Sequence, residues 1–364
     1  MKPVWGVLNS HDRSAFEIHL FLDGENPPPD SGYRRHPDDS IHLIGDLSNK
    51  SVAEQIAAAG IDVLVDLNGY SAAERLGLFM RKPAPVIVAW FNMYATSAIR
   101  AFAYIIGDAT VIPPEEEQFC TERVLRVSGS YLAFSVLYPV PAVEPPPCLR
   151  SGQFTFGSLA PNYKLTDDVL SAWARILLAA PDARLLLKNT CMDDPSNQAA
   201  LVQRFARFGV SPERVIVEGA AEHYEFLKTY NRVDIALDTF PYNGGSTTAE
   251  ALWQGVPVLA FHGDRWASRI SCSTLLAAGM EDWAPASLGA YVDRAIALAL
   301  SPNTPAMLAA LRARIREQLL ASPACDTTTL CRELEGHYLS MATLPGAKKH
   351  LSELQAPPSH PKLL

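Results

Sequence analysis

Two successive series of strand–helix alternation predict an α/β protein built from two Rossmann-like domains. Three observations carry this prediction. Short, almost uninterrupted apolar runs alternate with amphipathic stretches, the pattern of parallel sheets covered on both faces. The alternation stops at a Pro-rich segment, "AVEPPPCLRSG" (142–152), and then restarts. The 364 residues are enough for two domains of ordinary size, each with its own core.

In the first series, "FEIHLFL" (16–22), "SIHLI" (40–44), "IDVLVDL" (61–67), "PVIVAW" (85–90) and "AYIIGD" (103–108) read as strands. The stretch 49–60 reads as a helix capped by Ser51 and closed by Gly60. In the second series, strands are expected at 154–159, 183–189, 214–219, 233–239 and 256–260. The helices between and after them are expected at 166–180, 197–209, 221–232, 246–255, 290–300 and 304–320. A last helix is expected at 326–342, packing back toward the N-terminal domain, with a weakly ordered tail after it. The division is therefore 1–142, 150–322, a C-terminal helix at 323–345 and a tail at 346–364, with the two domains facing across a cleft.

Composition excludes several classes. A formal net charge of −8 argues against a general nucleic-acid or membrane surface, so any phosphate site must be local. No stretch approaches a membrane span, and the N-terminus has no apolar signal core. The six cysteines are scattered, without a second pair at metal-binding spacing, which reads as reduced thiols in a cytoplasmic protein with no metal site.

The most informative stretch is "DTFPYNGGSTTAEALWQGVPVLA" (238–260). It joins a strand's C-terminal end to a helix, where open α/β sheets bind ligands. The free N–H groups of a helix's first turn attract anions. Gly244 and Gly245 let a ligand approach the backbone; Ser246, Thr247 and Thr248 add hydroxyl donors; Glu250, one turn on, can accept from ribose hydroxyls. A plainer reading makes Thr247 and Glu250 an S/T-x-x-E capping box that needs no ligand. The stretch is neither a dinucleotide fingerprint nor a Walker loop.

Residues 233–271, "VDIALDTFPYNGGSTTAEALWQGVPVLAFHGDRWASRIS", resemble the core of the O-GlcNAc transferase and SPINDLY glycosyltransferases, family 41. "GIDVLVDLNGYSAAERLGLFMRKPAPVIVAW" (60–90) is similar to the family's Asn-Gly-Tyr and Arg-Pro-Ala-Pro region. "NYKLTDDVLSAWARILLAAPDARLLL" (162–187) is similar to its lysine-bearing loop and helix, and "HDRSAFEIHLF" (11–21) to the end of its first helix and its second strand. The resemblance implies a GT-B architecture in which the second domain binds most of the nucleotide sugar.

Residue by residue, the resemblance implies a diphosphate contact for Lys164, the catalytic candidate, and a donor-phosphate segment at Gly244–Thr248. Animal members carry a histidine where Gly245 stands. Glu250 falls on a ribose-binding acid, and Ala221, His223 and Phe226 on the ribose and base contacts. Phe226 replaces a stacking histidine and is otherwise an ordinary core aromatic; His223 replaces a lysine and is otherwise a surface histidine; Lys164 is otherwise a solvated lysine before a helix. Asn68, Tyr70 and Asn92 fall on the acceptor side. Three departures stand against these matches. The family's first strand and its His-Pro loop would precede Met1, so the N-terminal sheet is expected to be one interior strand short. "FNMYATSA" (91–98) replaces a Gly-Tyr-Pro-Gly-Thr-Ser/Thr-Gly loop with Asn92, Tyr94, Ala95 and Ala98 at altered positions, and Ala160 replaces an asparagine. The implied function is metal-independent, cofactor-free transfer of a sugar, GlcNAc favoured over other sugars, from a nucleotide donor such as UDP-GlcNAc to Ser/Thr hydroxyls of a protein acceptor. The alternative is a homologue that binds nucleotide or partners without chemistry, or half of a split transferase. A second copy or an N-terminal partner chain would then complete the sheet.

Overall fold

The computed structural model describes residues 3–27 and 31–342. These form two compact units: 4–131 together with 328–342, and 132–327 with residue 3. The chain thus passes between units at residue 131, before the Pro-rich segment, and again at 327. Residues 343–364, which hold the end of the expected C-terminal segment and the whole expected tail, lie outside the described residues. No described helix is long and apolar enough to cross a membrane.

The N-terminal unit runs α1 (Pro3–Ser10), β1 (His19–Leu22), β2 (Ser40–Leu43), α2 (Asn49–Ala58), β3 (Val63–Asp66), α3 (Leu76–Phe79), β4 (Val86–Ala89), β5 (Tyr104–Gly107) and β6 (Arg123–Arg126). Each expected strand forms inside its apolar run. β6 was not anticipated: it is bounded by arginines and, among the described residues, pairs with β5 alone, as a sheet edge does. The strands make two parallel sheets, β1–β2 and β3–β4–β5–β6, and no ladder joins them among the described residues. Polar side chains tie them instead. Arg75 donates from Nε to Asp23, just after β1, at 2.7 Å, and from its terminal nitrogens to the carbonyls of Ile44 and Leu47. The cap of α2 is Ser48, whose hydroxyl accepts from the Ser51 N–H at 3.2 Å, so the expected cap, Ser51, lies three residues too late and inside the helix. Gly60, at φ +69°, closes that helix in the left-handed conformation that glycine adopts freely.

The second unit runs α4 (Pro147–Ser151), β7 (Thr155–Ser158), α5 (Asp167–Ala179), β8 (Arg184–Lys188), α6 (Pro195–Arg207), β9 (Val215–Glu218), α7 (His223–Lys228), β10 (Ile235–Leu237), α8 (Ser246–Trp253), β11 (Val258–Leu259), α9 (Ile270–Ala277), α10 (Leu288–Leu300) and α11 (Thr304–Leu320). Thr166 caps α5 by accepting from the Val169 N–H, and Asp167 and Asp168 add favourable charge to its first turn. The helix expected over 221–232 is α-helical only to Lys228 and ends in a 3₁₀ turn, Thr229–Arg232. All five strands are parallel in the order β11-β10-β7-β8-β9. Phe156, Leu185, Leu187 and Ile235 are fully buried in that sheet, as apolar runs covered on both faces require.

The strand order sets the position of the site. From β7 the chain builds outward through β8 and β9, then returns to the other side of β7 for β10 and β11. The reversal falls between β7 and β10, and the crevice beyond the C-terminal ends of two such strands is where open α/β sheets bind ligands. The last helix, α12 (Thr327–Ala342), belongs with the N-terminal unit: the Asp12 N–H donates to Glu335 at 2.8 Å and the Ser128 N–H to Glu333 at 2.7 Å.

Candidate functional site

Lys164 sits in a 3₁₀ turn, Asn162–Lys164, after β7, and the turn 238–245 follows β10. Neighbouring strands therefore deliver the two to the same end of the sheet. The lysine side chain crosses to the turn: Nζ donates to the Asn243 carbonyl at 2.5 Å and lies 3.7 Å from the centre of the Tyr242 ring. Lys164 is only 8% exposed, which overturns the reading of a solvated surface lysine. Burial lowers its pKa to about 8, against the opposing pull of the Asp238 carboxylate. A half-desolvated cation with carbonyl and ring contacts but no carboxylate in direct hydrogen bond is well suited to an incoming anion.

The turn is held from within. Asp238 Oδ1 accepts from the N–H groups of Gly244, at 2.8 Å, and Thr239, at 2.9 Å. Burial pushes its carboxyl pKa up, while the Gly244 N–H and Lys164 favour the ionised form. Ser271, on α9, donates to the Gly244 carbonyl at 2.9 Å and lies 2.7 Å from the Thr248 hydroxyl. A Cβ on Gly244 would come within 2.5 Å of the Thr248 hydroxyl oxygen and 2.6 Å of that of Thr247, so only glycine fits there. At Gly245 the nearest atom to a Cβ would be Ile270 Cγ2, an ordinary contact at 3.8 Å. A Cβ at Gly245 is therefore sterically compatible with this turn.

No capping box forms. Helix α8 begins at Ser246 with Gly245 as its cap residue, and no side chain caps it. Thr247 and Glu250 both lie inside the helix, and the first intrahelical bond runs from the Ala249 N–H to the Gly245 carbonyl at 3.1 Å. Among the described residues, the N–H groups of Ser246, Thr247 and Thr248 therefore meet no acceptor. Together with the hydroxyls of Ser246 and Thr247 they belong to the first turn of a helix, and Lys164 reaches the preceding turn through the Asn243 carbonyl. Tyr230 braces this helix start by donating to the Thr247 carbonyl at 3.0 Å.

Glu250 and His223 also come together: Glu250 Oε1 and His223 Nε2 are 3.2 Å apart, with Glu250 8% exposed and His223 on the surface. Burial raises the Glu250 pKa, the hydrogen bond with His223 pulls the other way, and the carboxyl lies below its ordinary value. Tyr138, missed in the sequence, packs edge-on against His223 with ring centres 5.0 Å apart, and burial raises its pKa as well. It stands in the Pro-rich opening stretch of the second unit, where no periodicity or spacing marks it. Ala221 is exposed just before α7, and Phe226 is half-buried on that helix without an aromatic neighbour among the described residues. Ala160, at the end of β7, is buried. A pocket lined by Phe240, Pro241, Phe261, His262 and Ser268 adjoins the start of the turn.

The N-terminal unit gathers Asn68, Tyr70 and Asn92 in the two loops after β3 and β4. Asn92 Nδ2 donates to the Leu67 carbonyl at 3.2 Å, and the Tyr70 hydroxyl to the Thr96 carbonyl at 2.9 Å. A Cβ on Gly69 would lie 2.5 Å from the Asn92 carbonyl oxygen. Asn68 holds its loop through its N–H, which donates to Asp66 at 2.9 Å. Asn92 (φ +60°) and Ala98 (φ +56°) adopt the left-handed conformation at the two ends of the loop where the expected pattern places glycines. The glycine-type backbone path is thus kept by residues that carry a Cβ.

Comparison with known proteins places the sequence and the fold. The probable UDP-N-acetylglucosamine–peptide N-acetylglucosaminyltransferase SPINDLY of Solanum lycopersicum is 33% identical over 296 residues, 81% of this chain and 32% of that protein. The probable UDP-N-acetylglucosamine–peptide N-acetylglucosaminyltransferase SEC of Arabidopsis thaliana is 27% identical over 98% of this chain and 36% of its own length. The chain spans about a third of these relatives. Among solved structures, a variant of Thermobaculum terrenum O-GlcNAc transferase superposes with a TM-score of 0.85 at 31% identity, covering 96% of this chain and 65% of that one. The fold is of the α/β GT-B class, as the resemblance implied. Residues 5–133 and 149–334 match the model of glycosyl transferase family 41, and the chain belongs to that family.

Proposed function

We propose that this protein transfers a sugar from a nucleoside diphosphate sugar to the Ser or Thr hydroxyl of a protein acceptor, with UDP-GlcNAc as the favoured donor. The observation that carries the reading is the contact of Lys164 with the turn that leads into the uncapped N-terminus of α8, at the switch point of the second sheet. In this reading the diphosphate accepts from the N–H groups of Ser246–Thr248 and from the neighbouring hydroxyls. Lys164 neutralises the charge that grows on the leaving nucleoside diphosphate, the task a divalent metal performs in other transferases; this site needs no metal or other cofactor. Glu250, oriented by His223, takes the ribose hydroxyls, with Tyr138, Ala221 and Phe226 bordering the nucleoside. Asn68, Tyr70 and Asn92 serve the acceptor side. The names of the relatives support UDP-GlcNAc and a peptide acceptor.

The test is transfer of labelled GlcNAc from UDP-GlcNAc to a Ser/Thr-containing peptide library, run beside UDP and GDP titrations of the same preparation. Transfer that is lost in Lys164→Met supports the reading. Tight UDP binding without transfer supports a second one, a nucleotide-binding homologue. The division of the N-terminal strands into two unjoined sheets favours that second reading. Absence of both binding and transfer would defeat the two together.

A further inference from the structure

A cluster in the N-terminal unit, apart from the nucleotide site, has the chemistry of a metal centre. His11 follows α1, while Cys331 and Glu335 lie four residues apart on one face of α12, and Cys331 and Glu335 are buried. Their donor atoms converge: His11 Nδ1 to Glu335 Oε1 is 3.0 Å, Cys331 Sγ to His11 Nδ1 is 3.3 Å, and Cys331 Sγ to Glu335 Oε1 is 3.8 Å. A tetrahedral zinc ion with bonds of about 2.0–2.3 Å spaces its ligand atoms by roughly 3.3–3.7 Å. The three atoms therefore already stand near the separations that such an ion imposes.

We infer that His11 Nδ1, Cys331 Sγ and Glu335 Oε1 bind one zinc ion, which fastens α12 to the end of α1. Thiolate, imidazole and carboxylate together select zinc over the hard cations magnesium and calcium, which take oxygen ligands. The surroundings already orient the donors. The Asp12 N–H donates to Glu335 Oε1 at 2.8 Å, and Arg332 engages Oε2, leaving Oε1 turned toward His11 and Cys331. The other nearby guanidinium, Arg13, is committed to Asp39 through two hydrogen bonds of 2.8 and 2.9 Å. Phe16 and Tyr338 flank the imidazole at 5.9 and 6.2 Å between ring centres. Zinc takes Cys331 as the thiolate and His11 as the neutral imidazole. Binding replaces the thiol proton by the metal and releases that proton to solvent.

The test uses the full chain, stripped with a chelator and titrated with Co²⁺ and then Zn²⁺. The expected result is one Co²⁺ per chain with a thiolate-to-cobalt charge-transfer band, displaced stoichiometrically by Zn²⁺, with a higher melting temperature and proton release in the zinc form. Cys331→Ser is close to isosteric and should abolish the band and lower zinc affinity about a hundredfold or more, whereas substitution of the exposed Cys191 by Ser should leave both intact. His11→Ala should behave as Cys331→Ser does. If it fails to fold, the wild-type titration and Cys331→Ser still decide the matter. A stripped chain that takes up no stoichiometric cobalt or zinc, or a Cys331→Ser protein that keeps the band, would show the cluster to be a hydrogen-bonded clamp only.

Discussion

Each unit places a buried aspartate at the C-terminal end of a parallel strand, where it organises the loop beyond, and the difference between these ends separates their capacities. Asp66, at the end of β3, accepts from the N–H groups of Asn68 and Gly69. Asp238, after β10, accepts from those of Thr239 and Gly244. Burial raises the pKa of both carboxyls. Only Asp238 has a cation, Lys164, among the groups that favour its ionised form. The second unit thus holds a lysine on the turn before a helix whose first N–H groups meet no acceptor among the described residues. In the N-terminal unit the matching loops are closed by contacts with one another, such as Tyr70 with Thr96 and Asn92 with Leu67. Similar strand-end scaffolds carry an anion-ready turn in one case and a self-satisfied pair of loops in the other.

The comparison is broken most readily at Lys164. Replacing it with Ala removes a charge-assisted contact, so UDP affinity measured by calorimetry should fall about ten- to a hundredfold, roughly 1.5–3 kcal/mol. A change under threefold would place the diphosphate elsewhere. The pH dependence follows from the same side chain. Its folded pKa, about 8, lies below the ordinary 10.5. The cost of burying the ammonium is present below about pH 8 and is relieved between there and 10.5, where the unfolded chain still binds the proton. Over that window Lys164 makes stability rise with pH. A bound diphosphate raises the lysine pKa again, so UDP binding near pH 8–9 should take up protons. Titrations in buffers of different ionisation enthalpy should show this uptake, and Lys164→Met should remove it.

Two adjacent glycines sharpen the same contrast. Gly244→Ala forces a Cβ against the hydroxyls of Thr247 and Thr248 and should cost about 1–3 kcal/mol of stability, with UDP binding weakened as the turn shifts. Gly245→Ala meets nothing closer than 3.8 Å and should leave both nearly unchanged. Equal effects in chemical denaturation would mean that the turn is looser than its hydrogen bonds imply.

Thr247→Val and Glu250→Gln should act on binding with little effect on melting, because neither side chain caps α8. Thr247→Val leaves the backbone donors in place and should cost about 0.5–1.5 kcal/mol of UDP affinity. Glu250→Gln should weaken UDP more than its 2′-deoxy analogue. A fall in melting temperature without nucleotide, in both variants, would restore the capping-box interpretation.

What could be read in the sequence follows the same division. Strands of the second unit are visible because they are apolar on both faces, and the phosphate turn because Gly, Ser and Thr cluster at a strand–helix junction. β6 escaped because its boundary arginines interrupt the apolar run. α9 escaped because Ile270–Leu275 is buried all round, Ser271, Ser273 and Thr274 included, so no separation of polar and apolar faces reveals a helical period. Asp238 and Tyr242 stood within the informative stretch, but their roles depend on Lys164, 74 and 78 residues earlier in the chain, crossing to them from the neighbouring strand. Tyr138 meets His223 only through tertiary packing, and no local pattern marks it.

The smallest effect tests the N-terminal loop itself. Ala98 is exposed and held at φ +56°, where a Cβ crowds the backbone at a cost of about 1–2 kcal/mol that glycine avoids. Ala98→Gly therefore relieves strain in the folded chain, while the greater freedom of glycine in the unfolded chain returns about 0.4–1 kcal/mol of that gain. The net expectation is a stabilisation of up to about 1 kcal/mol, read from the urea midpoint of the N-terminal unit. Ala95 supplies the control: it is exposed in the same loop but is not among the residues at positive φ. Ala95→Gly relieves nothing and adds only unfolded-state freedom, so it should destabilise by about 0.4–1 kcal/mol. Opposite signs for the two alanines would establish that the loop keeps a glycine backbone path under alanine. Destabilisation by both would mean that Ala98 relaxes out of the left-handed conformation in solution, and the N-terminal loops would then differ from the phosphate turn in backbone path as well as in charge.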